Sequence, residues 1–295
     1  MQKFLKWVFI ISLSLFLSCS FNLWARAASP TESFNLPVIL KMGRYYVLYT
    51  YPKPPYIDPQ NRLIVPLGTV CRNLIGAKVN YNPQTKTAII NWSSRTVELT
   101  VGSKTAYVNK KQVVLDTFPI LYKNSMLVPL RILIEGLGIK ATWNSEYRFV
   151  HLDDERILKT RWILLGPEDS PALRIPALDE NAFFPLFCKI EIYYPVRTPA
   201  STKIKLDITA KNITGKSIPE GKADVRPHVF FDDGGYSTAA FFGSEGKPLP
   251  VKPPVKAGEI IEISEEHKSD IPVFDVPKCV RKVHYVLLTC RVNTV

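Results

Sequence analysis

The chain has 295 residues, of which 46% are hydrophobic and 22% charged, a balance that excludes a disordered chain and favours about two globular domains. Its net charge is +12, but the basic residues are dispersed rather than gathered in runs, so we expect no nucleic-acid partner. The 24 prolines and 14 glycines favour turns and extended connections over long helices.

Residues 1–27 have the pattern of a signal peptide for export. Lys3 and Lys6 precede an apolar run over residues 7–17, and alanines at 25 and 27 would suit a cut after Ala27. The run is too short to span a bilayer, so we expect no transmembrane span in the mature chain. Cys19, after Leu17 and Ser18, leaves lipid anchoring open as the alternative to free secretion.

Cleavage there would remove three of the 38 basic residues and none of the 26 acidic ones, which leaves a net charge of +9. A basic exported protein is attracted to anionic surfaces. The candidate partners are therefore an anionic cell-wall polymer or glycan, or another protein of the envelope.

The most informative feature of the chain is an internal repeat, residues 63–91 and 126–152. In the second copy, Pro129 can open a helix and Gly138 can end it, with an apolar stripe between them over residues 130–137. Alternation over residues 139–143 predicts a strand, and residues 149–152 return as a second strand.

The first copy predicts the same helix and hairpin. Pro66 opens the helix, Gly76 ends it, and strands follow around Val79–Tyr81 and Thr87–Asn91. The prolines lie 63 residues apart but the glycines 62, because the first copy has one extra residue before its glycine. Since neither unit can bury its own apolar face, we expect the two to pack together as an α+β domain with short β-strands between them.

These motifs carry a resemblance to a known family. Residues 38–153 resemble the N-terminal domain of some copper amine oxidases, which also occurs as a stalk domain in exported Gram-positive proteins. The matching stretches are NRLIVPL (61–67), GSKTAYVN (102–109), VPLR (128–131), EGLG (135–138) and WN (143–144). Two positions depart from the family pattern: Gly68 stands in place of an arginine, and Lys110 in place of a glycine.

The resemblance implies the domain but not the oxidase, whose copper and modified tyrosine belong to a separate catalytic domain. The four histidines of this chain are not spaced as metal ligands. The sequence offers no catalytic motif, so we predict no enzyme, no catalytic residues, no cofactor and no metal. The four histidines are His151, His228, His267 and His284.

The second half reads as a linker over residues 154–186 followed by a β-domain over residues 187–295. Short strands recur there at the spacing of an antiparallel Ig-like β-sandwich. Cys188 and Cys279 would form a disulfide if the first and last strands of this sandwich are neighbours.

Five residues are candidate ligand contacts. Tyr45, Tyr46 and Trp162 are candidate contacts of a specific glycan. Trp162 could also form a ligand platform with Phe183 and Phe184, although such aromatic residues more often cap the edge of a domain. Asp232 and Asp233 could bind calcium through their oxygens, although the two glycines that follow favour a simple hairpin turn.

The sequence therefore predicts a non-catalytic, exported protein of the cell envelope that binds or displays, with possible association with the cell wall. The alternative is a secreted protease inhibitor or partner-binding protein that acts through loops 231–238 or 244–256 of the C-terminal sandwich. A small hydrolase with an unrecognised site is a third hypothesis.

Overall fold

The computed structural model describes residues 30–158, 177–195, 201–238, 251–269 and 280–293. The described parts are mostly β-structure with a few short helices. No helix among them combines the length and the apolar character that crossing a bilayer requires.

The N-terminal part, up to residue 158, contains fourteen described strands, one π-helix and two α-helices. The π-helix spans Thr69–Ile75, helix α1 spans Leu130–Leu137, and helix α2 spans Glu155–Leu158. The strands are β1 (Glu32–Pro37), β2 (Leu40–Met42), β3 (Tyr45–Thr50), β4 (Tyr56–Ile57), β5 (Leu63–Pro66), β6 (Lys78–Asn82), β7 (Thr87–Trp92), β8 (Arg95–Thr100), β9 (Thr105–Val108), β10 (Lys111–Val114), β11 (Ile120–Tyr122), β12 (Ser125–Pro129), β13 (Ala141–Asn144) and β14 (Phe149–Leu152).

The rest of the described chain is built from strands. They are β15 (Ala177–Asp179), β16 (Phe183–Tyr193), β17 (Lys203–Asn212), β18 (Ala223–Phe231), β19 (Tyr236–Thr238), β20 (Ile260–Lys268) and β21 (Val283–Asn293).

The two repeat copies meet at strands β5 and β12, which pair antiparallel in a small sheet of order β11–β12–β5–β4. Val65 lies opposite Val128, its own equivalent 63 residues later. On either side, Leu127 lies opposite Pro66 and Pro129 lies opposite Ile64. Each of these pairs becomes the other when the two repeat copies are interchanged. An axis of twofold pseudosymmetry therefore passes through the Val65–Val128 pair and relates one copy to the other.

The extra residue of the first copy changes the kind of helix. In the second copy the backbone N–H of Gly138 donates to the carbonyl of Ile134, four residues back, as an α-helix requires. In the first copy the N–H of Gly76 donates to the carbonyl of Cys71, five residues back. One inserted residue is thus absorbed as a π-helix, and both glycines still end their helices in the left-handed conformation.

After its helix, each copy sends its hairpin to a different sheet. The first-copy hairpin β6–β7 continues through β8 and β9 to β10 in a five-stranded antiparallel meander. The second-copy hairpin β13–β14 joins a larger sheet, which we call the central sheet, where β14 pairs parallel with β2.

The central sheet contains strands from both halves of the chain, in the order β13–β14–β2–β3–β21–β18–β19. Strand β3, near the N-terminus, pairs with β21, the last described strand. Strand β1 likewise pairs with β16 in a second, outer sheet of order β1–β16–β17–β20. The predicted N-terminal and C-terminal regions are therefore joined by backbone hydrogen bonds.

Two hydrophobic cores lie on opposite faces of the central sheet. Tyr45 and Val47 of β3 pack with the helices and meander of the repeat. Tyr46 and Leu48, on the other face of the same strand, pack with the inner face of the outer sheet. The central sheet is thus part of both the repeat domain and the C-terminal β-region.

The outer face of the outer sheet is polar. Lys189 pairs with Glu191 at 2.7 Å and Lys205 with Asp207 at 3.4 Å, each two residues apart on one strand. Exposed pairs of this kind contribute little to stability but keep the sheet soluble. Of the segment predicted as a linker, residues 154–186, the structure describes helix α2, strand β15 and the start of strand β16. Residues 159–176 lie outside the described residues.

Candidate functional site

Tyr45 and Tyr46, proposed from the sequence as ligand contacts, are core residues. Their exposed fractions are 5% and 1%, because β3 lies in the middle of a sheet that is covered on both faces. The ring of Tyr46 packs edge-on against Phe149 and Phe184, with centroids 5.8 Å away in each case. The structure therefore corrects this prediction, since neither ring is available to a ligand.

Asp232 and Asp233 hold the turn between β18 and β19. The carboxylate of Asp233 accepts the N–H of Gly235 at 2.9 Å and forms an ion pair with Arg281. The carboxylate of Asp232 accepts the N–H of Lys282 at 2.9 Å. Their oxygens thus serve the turn, as the two glycines in the sequence favoured.

Only some of the cysteine and tryptophan residues named in the predictions lie in the described part of the chain. Cys188 is a buried free thiol, as are Cys71 and Cys290. Cys279, the predicted partner of Cys188, lies outside the described residues, and so do Trp162 and Cys19.

An open groove that contains an exposed aromatic residue lies beside helix α1. We call it the Trp143 groove. Its volume is about 550 Å³, within the range of small-molecule sites. Strand β13, helix α1 and the β4–β5 hairpin form its walls, and its lining includes Ile57, Arg62, Asp116, Arg131, Glu135 and Trp143.

One rim of the groove is fixed by Arg62. Its guanidinium donates to the carboxylate of Asp58 at 2.7 Å, to the side chain of Gln60 at 2.8 Å and to the backbone carbonyl of Asp116 at 3.2 Å. Desolvation would raise the pKa of Asp58, but hydrogen bonds from Arg62 outweigh it and hold that pKa below its usual value. The β4–β5 turn is therefore preorganised beside the groove.

The other rim is the first turn of helix α1. Arg131 donates through Nε to the carboxylate of Glu135 at 2.6 Å, one helical turn away. These two residues, with Asp116 and Pro129, also line a second hollow of about 340 Å³ toward strand β10. The Arg131–Glu135 pair thus separates two adjoining depressions.

Trp143 is the most exposed aromatic residue of the groove, with 58% of its surface open. The alternation of Ile139, Ala141 and Trp143 predicts an inward side chain, which is wrong for Trp143. Strand β13 is an edge strand of the central sheet, and both Thr142 and Trp143 in its middle are exposed. No signal in the sequence distinguished Trp143 from a core tryptophan, and the groove was missed for that reason.

Ionisable groups of the groove are balanced. It is lined by two arginines, Arg62 and Arg131, and two acids, Asp116 and Glu135. In the described parts of the chain, no three His, Cys, Asp or Glu side chains are placed to share a metal ion. His228, for example, is 3% exposed and contacts Tyr236 at 2.7 Å and Thr289 at 3.1 Å.

Comparison with known proteins assigns the domain that carries the groove. No curated protein sequence matches the chain. Residues 42–152, which are 111 of the 295, match the family model of the copper amine oxidase N-terminal domain. This confirms the resemblance seen in the sequence, and the Trp143 groove lies within that domain, while the C-terminal β-region stays unassigned.

Proposed function

We propose that this protein is a non-catalytic, exported protein of the cell envelope that binds glycan strands of the cell wall in the Trp143 groove. The observation that carries the proposal is the exposed indole of Trp143 beside a groove whose two arginines are held in ion pairs, Arg131 with Glu135 and Arg62 with Asp58.

The chemistry of the groove suits a sugar chain. A pyranose ring has an apolar C–H face that stacks on an indole, and its hydroxyl groups need donors and acceptors at the ring edge. Arg62 and Arg131 provide donors, while Asp116 and Glu135 provide acceptors. Because their charges balance, the groove has no strong preference for a highly charged ligand.

Export is the second part of the proposal, and it rests on the signal-peptide pattern of residues 1–27. A lipid attached at Cys19 would keep the protein at the membrane surface, and free secretion would leave wall binding as its means of retention.

The C-terminal β-region would act as the rigid base on which the repeat domain is displayed. We assign it an Ig-like sandwich, supported by two mainly antiparallel sheets that enclose one core between them. The alternative function, binding of a protein partner through loop 231–238, has weaker support because Asp232 and Asp233 are engaged within the turn.

The test is co-sedimentation of residues 28–295 with isolated cell-wall sacculi at low and high salt. We expect retention that survives high salt, and we expect Trp143→Ala to weaken it about tenfold or more, the effect of losing one buried aromatic contact. The matched control is Phe187→Ala, which removes a 51% exposed aromatic residue from the outer sheet.

Three results would count against the proposal. Retention that disappears at high salt in the unchanged protein would mean that the positive charge alone does the binding. Equal retention of Trp143→Ala and Phe187→Ala would exclude the groove. The absence of retention at either salt would exclude wall binding and favour a protein partner.

A further inference from the structure

The pseudosymmetry of the repeat implies that the groove beside helix α1 has a counterpart beside the π-helix. Val65 and Val128 lie opposite each other on the axis, so each copy should place the same elements around its own helix. A second groove of about 150 Å³ does lie there, between the π-helix, the β6–β7 hairpin and the β11–β12 hairpin. We call it the Tyr81 groove.

The residues of the two grooves correspond by repeat position. Leu67 and Met126 occupy the places of Leu130 and Leu63, which are 63 residues away in each case. Beyond the glycine that ends each helix the spacing is 62, and it relates Tyr81 to Trp143. Asn124 corresponds to Asn61, and both have a left-handed backbone with φ of 60°.

An aromatic ring is exposed at the same position of both copies. Tyr81 is 39% exposed on strand β6, as Trp143 is exposed on β13. Neither ring belongs to a hydrophobic core, although the alternation of apolar and polar residues along both strands predicts that these side chains face inward. What sets Tyr81 and Trp143 apart from other exposed aromatic residues is that they hold equivalent repeat positions and that each lines a groove.

The grooves differ in size and in charge. Gly68 replaces Arg131 and Arg72 replaces Glu135, so the Tyr81 groove has one cation and no ion pair. The guanidinium of Arg72 donates to the carbonyl of Val79 at 3.0 Å, which fixes it along the groove. The smaller groove would hold about one sugar ring, and its cation suits a sugar that carries a carboxylate.

We propose that the Tyr81 groove is a second, weaker glycan site and that the protein holds wall glycan at two points. This inference rests on the proposed function of the Trp143 groove and extends it. Two weak sites on one rigid domain bind a polymer far more tightly than either site alone, because the second contact forms within the bound complex.

The experiment counts binding events by calorimetry and NMR titration. The probe is a tetrasaccharide of wall glycan whose stem peptides have been removed by amidase, which leaves free carboxylates. We expect two binding events in the unchanged chain. Trp143→Ala should leave only the weaker event, and Tyr81→Ala only the stronger one. On sacculi treated with the same amidase, Tyr81→Ala should lower affinity by about tenfold or more through loss of the second contact.

Tyr107→Ala is the matched control, since Tyr107 is also 39% exposed and lies on β9 of the same meander. It should keep both events, and circular dichroism should show that all three variants remain folded. A single event that Trp143→Ala abolishes and Tyr81→Ala leaves unchanged would overturn the second site and keep the first. No event in the unchanged chain would overturn both.

Discussion

The two copies of the repeat solve one packing problem with different numbers of residues. Each buries an apolar stripe of its helix and ends it with a left-handed glycine. The second copy has eight residues between its proline and its glycine, all in an α-helix. The first copy has nine, and the last seven of them form the π-helix. The positions that stay fixed are the proline, the glycine and the buried stripe, which shows that the core constrains the repeat more than the helix geometry does.

The copies also differ in the segments that come after their hairpins. The second continues into Asp154 and Arg156, whose guanidinium lies over the ring of Trp92 with 4.1 Å to the centroid. Trp92 is the first-copy equivalent of Asp154, since the spacing in this part of the repeat is 62. One copy thus closes against the end of the other, and the pseudosymmetry is broken at the place where the chain leaves the domain.

The largest expected effect comes from removing the central residue of either helical stripe. Leu133 and Val70 are equivalent and fully buried. Leu133→Ala should lower the free energy of unfolding by about 3 kcal/mol, and Val70→Ala by less, because it removes two carbons instead of three. Chemical denaturation should show one transition for both variants. Two separate transitions would mean that the copies do not share a core.

The second prediction concerns Asp154, which is 2% exposed and accepts the N–H of Lys140 at 3.0 Å and the guanidinium of Arg156 at 2.6 Å. Asp154→Asn should cost about 1–3 kcal/mol at neutral pH. The hydrogen bonds from Arg156 hold the pKa of Asp154 well below its usual value. Its contribution is therefore complete above about pH 4 and is lost as the pH falls further, because the unfolded state takes up the proton first.

The difference in unfolding free energy between the unchanged protein and Asp154→Asn isolates this contribution, and it should shrink below about pH 4. The comparison is needed because burial lowers the pKa of His228 to about 3. That histidine reduces stability in both proteins from about pH 6.5 downward, since only the unfolded state is protonated there. A difference that is constant over the whole pH range would contradict the role assigned to Asp154.

The sequence predicted the repeat far better than the groove. Helix 129–137 and strand 149–152 were predicted to within a residue, because periodicity and terminal glycines depend on local geometry. Pairing between distant strands has no such local signal, so the sharing of the central sheet by β3 and β21 could not be predicted. The exposure of Trp143 also has no local signal, since it depends on which parts of the fold pack over strand β13.

The third prediction tests why the second copy has a glycine inside its helix. A Cβ at Gly136 would lie 2.6 Å from a methyl group of Val97 on β8, too close for any side chain. Gly136→Ala should therefore destabilise the protein by about 1–3 kcal/mol despite the better helix propensity of alanine. Val97→Ala in the same chain should recover part of that loss by making room. If the loss of stability in the double variant equals the sum of the losses in the two single variants, the two residues do not compete for space.

The smallest effect is expected from deleting Asn73, which would give the first copy the length of the second. Ile75 would then take the position that Leu137 has in the second copy and Leu74 that of Gly136, so every position of the stripe would still hold an apolar residue. The free energy of unfolding should change by about 1 kcal/mol, the usual size for one position. The N–H of Gly76 should then bond to the carbonyl four residues back. The binding of the glycan probe in the Tyr81 groove should also change, because the side chain of Arg72 would point in a new direction. NMR hydrogen-bond couplings would detect the first change.

A deletion that unfolds the protein would show instead that the π-helix is required by the packing around it, and that the two copies have diverged too far to be exchanged.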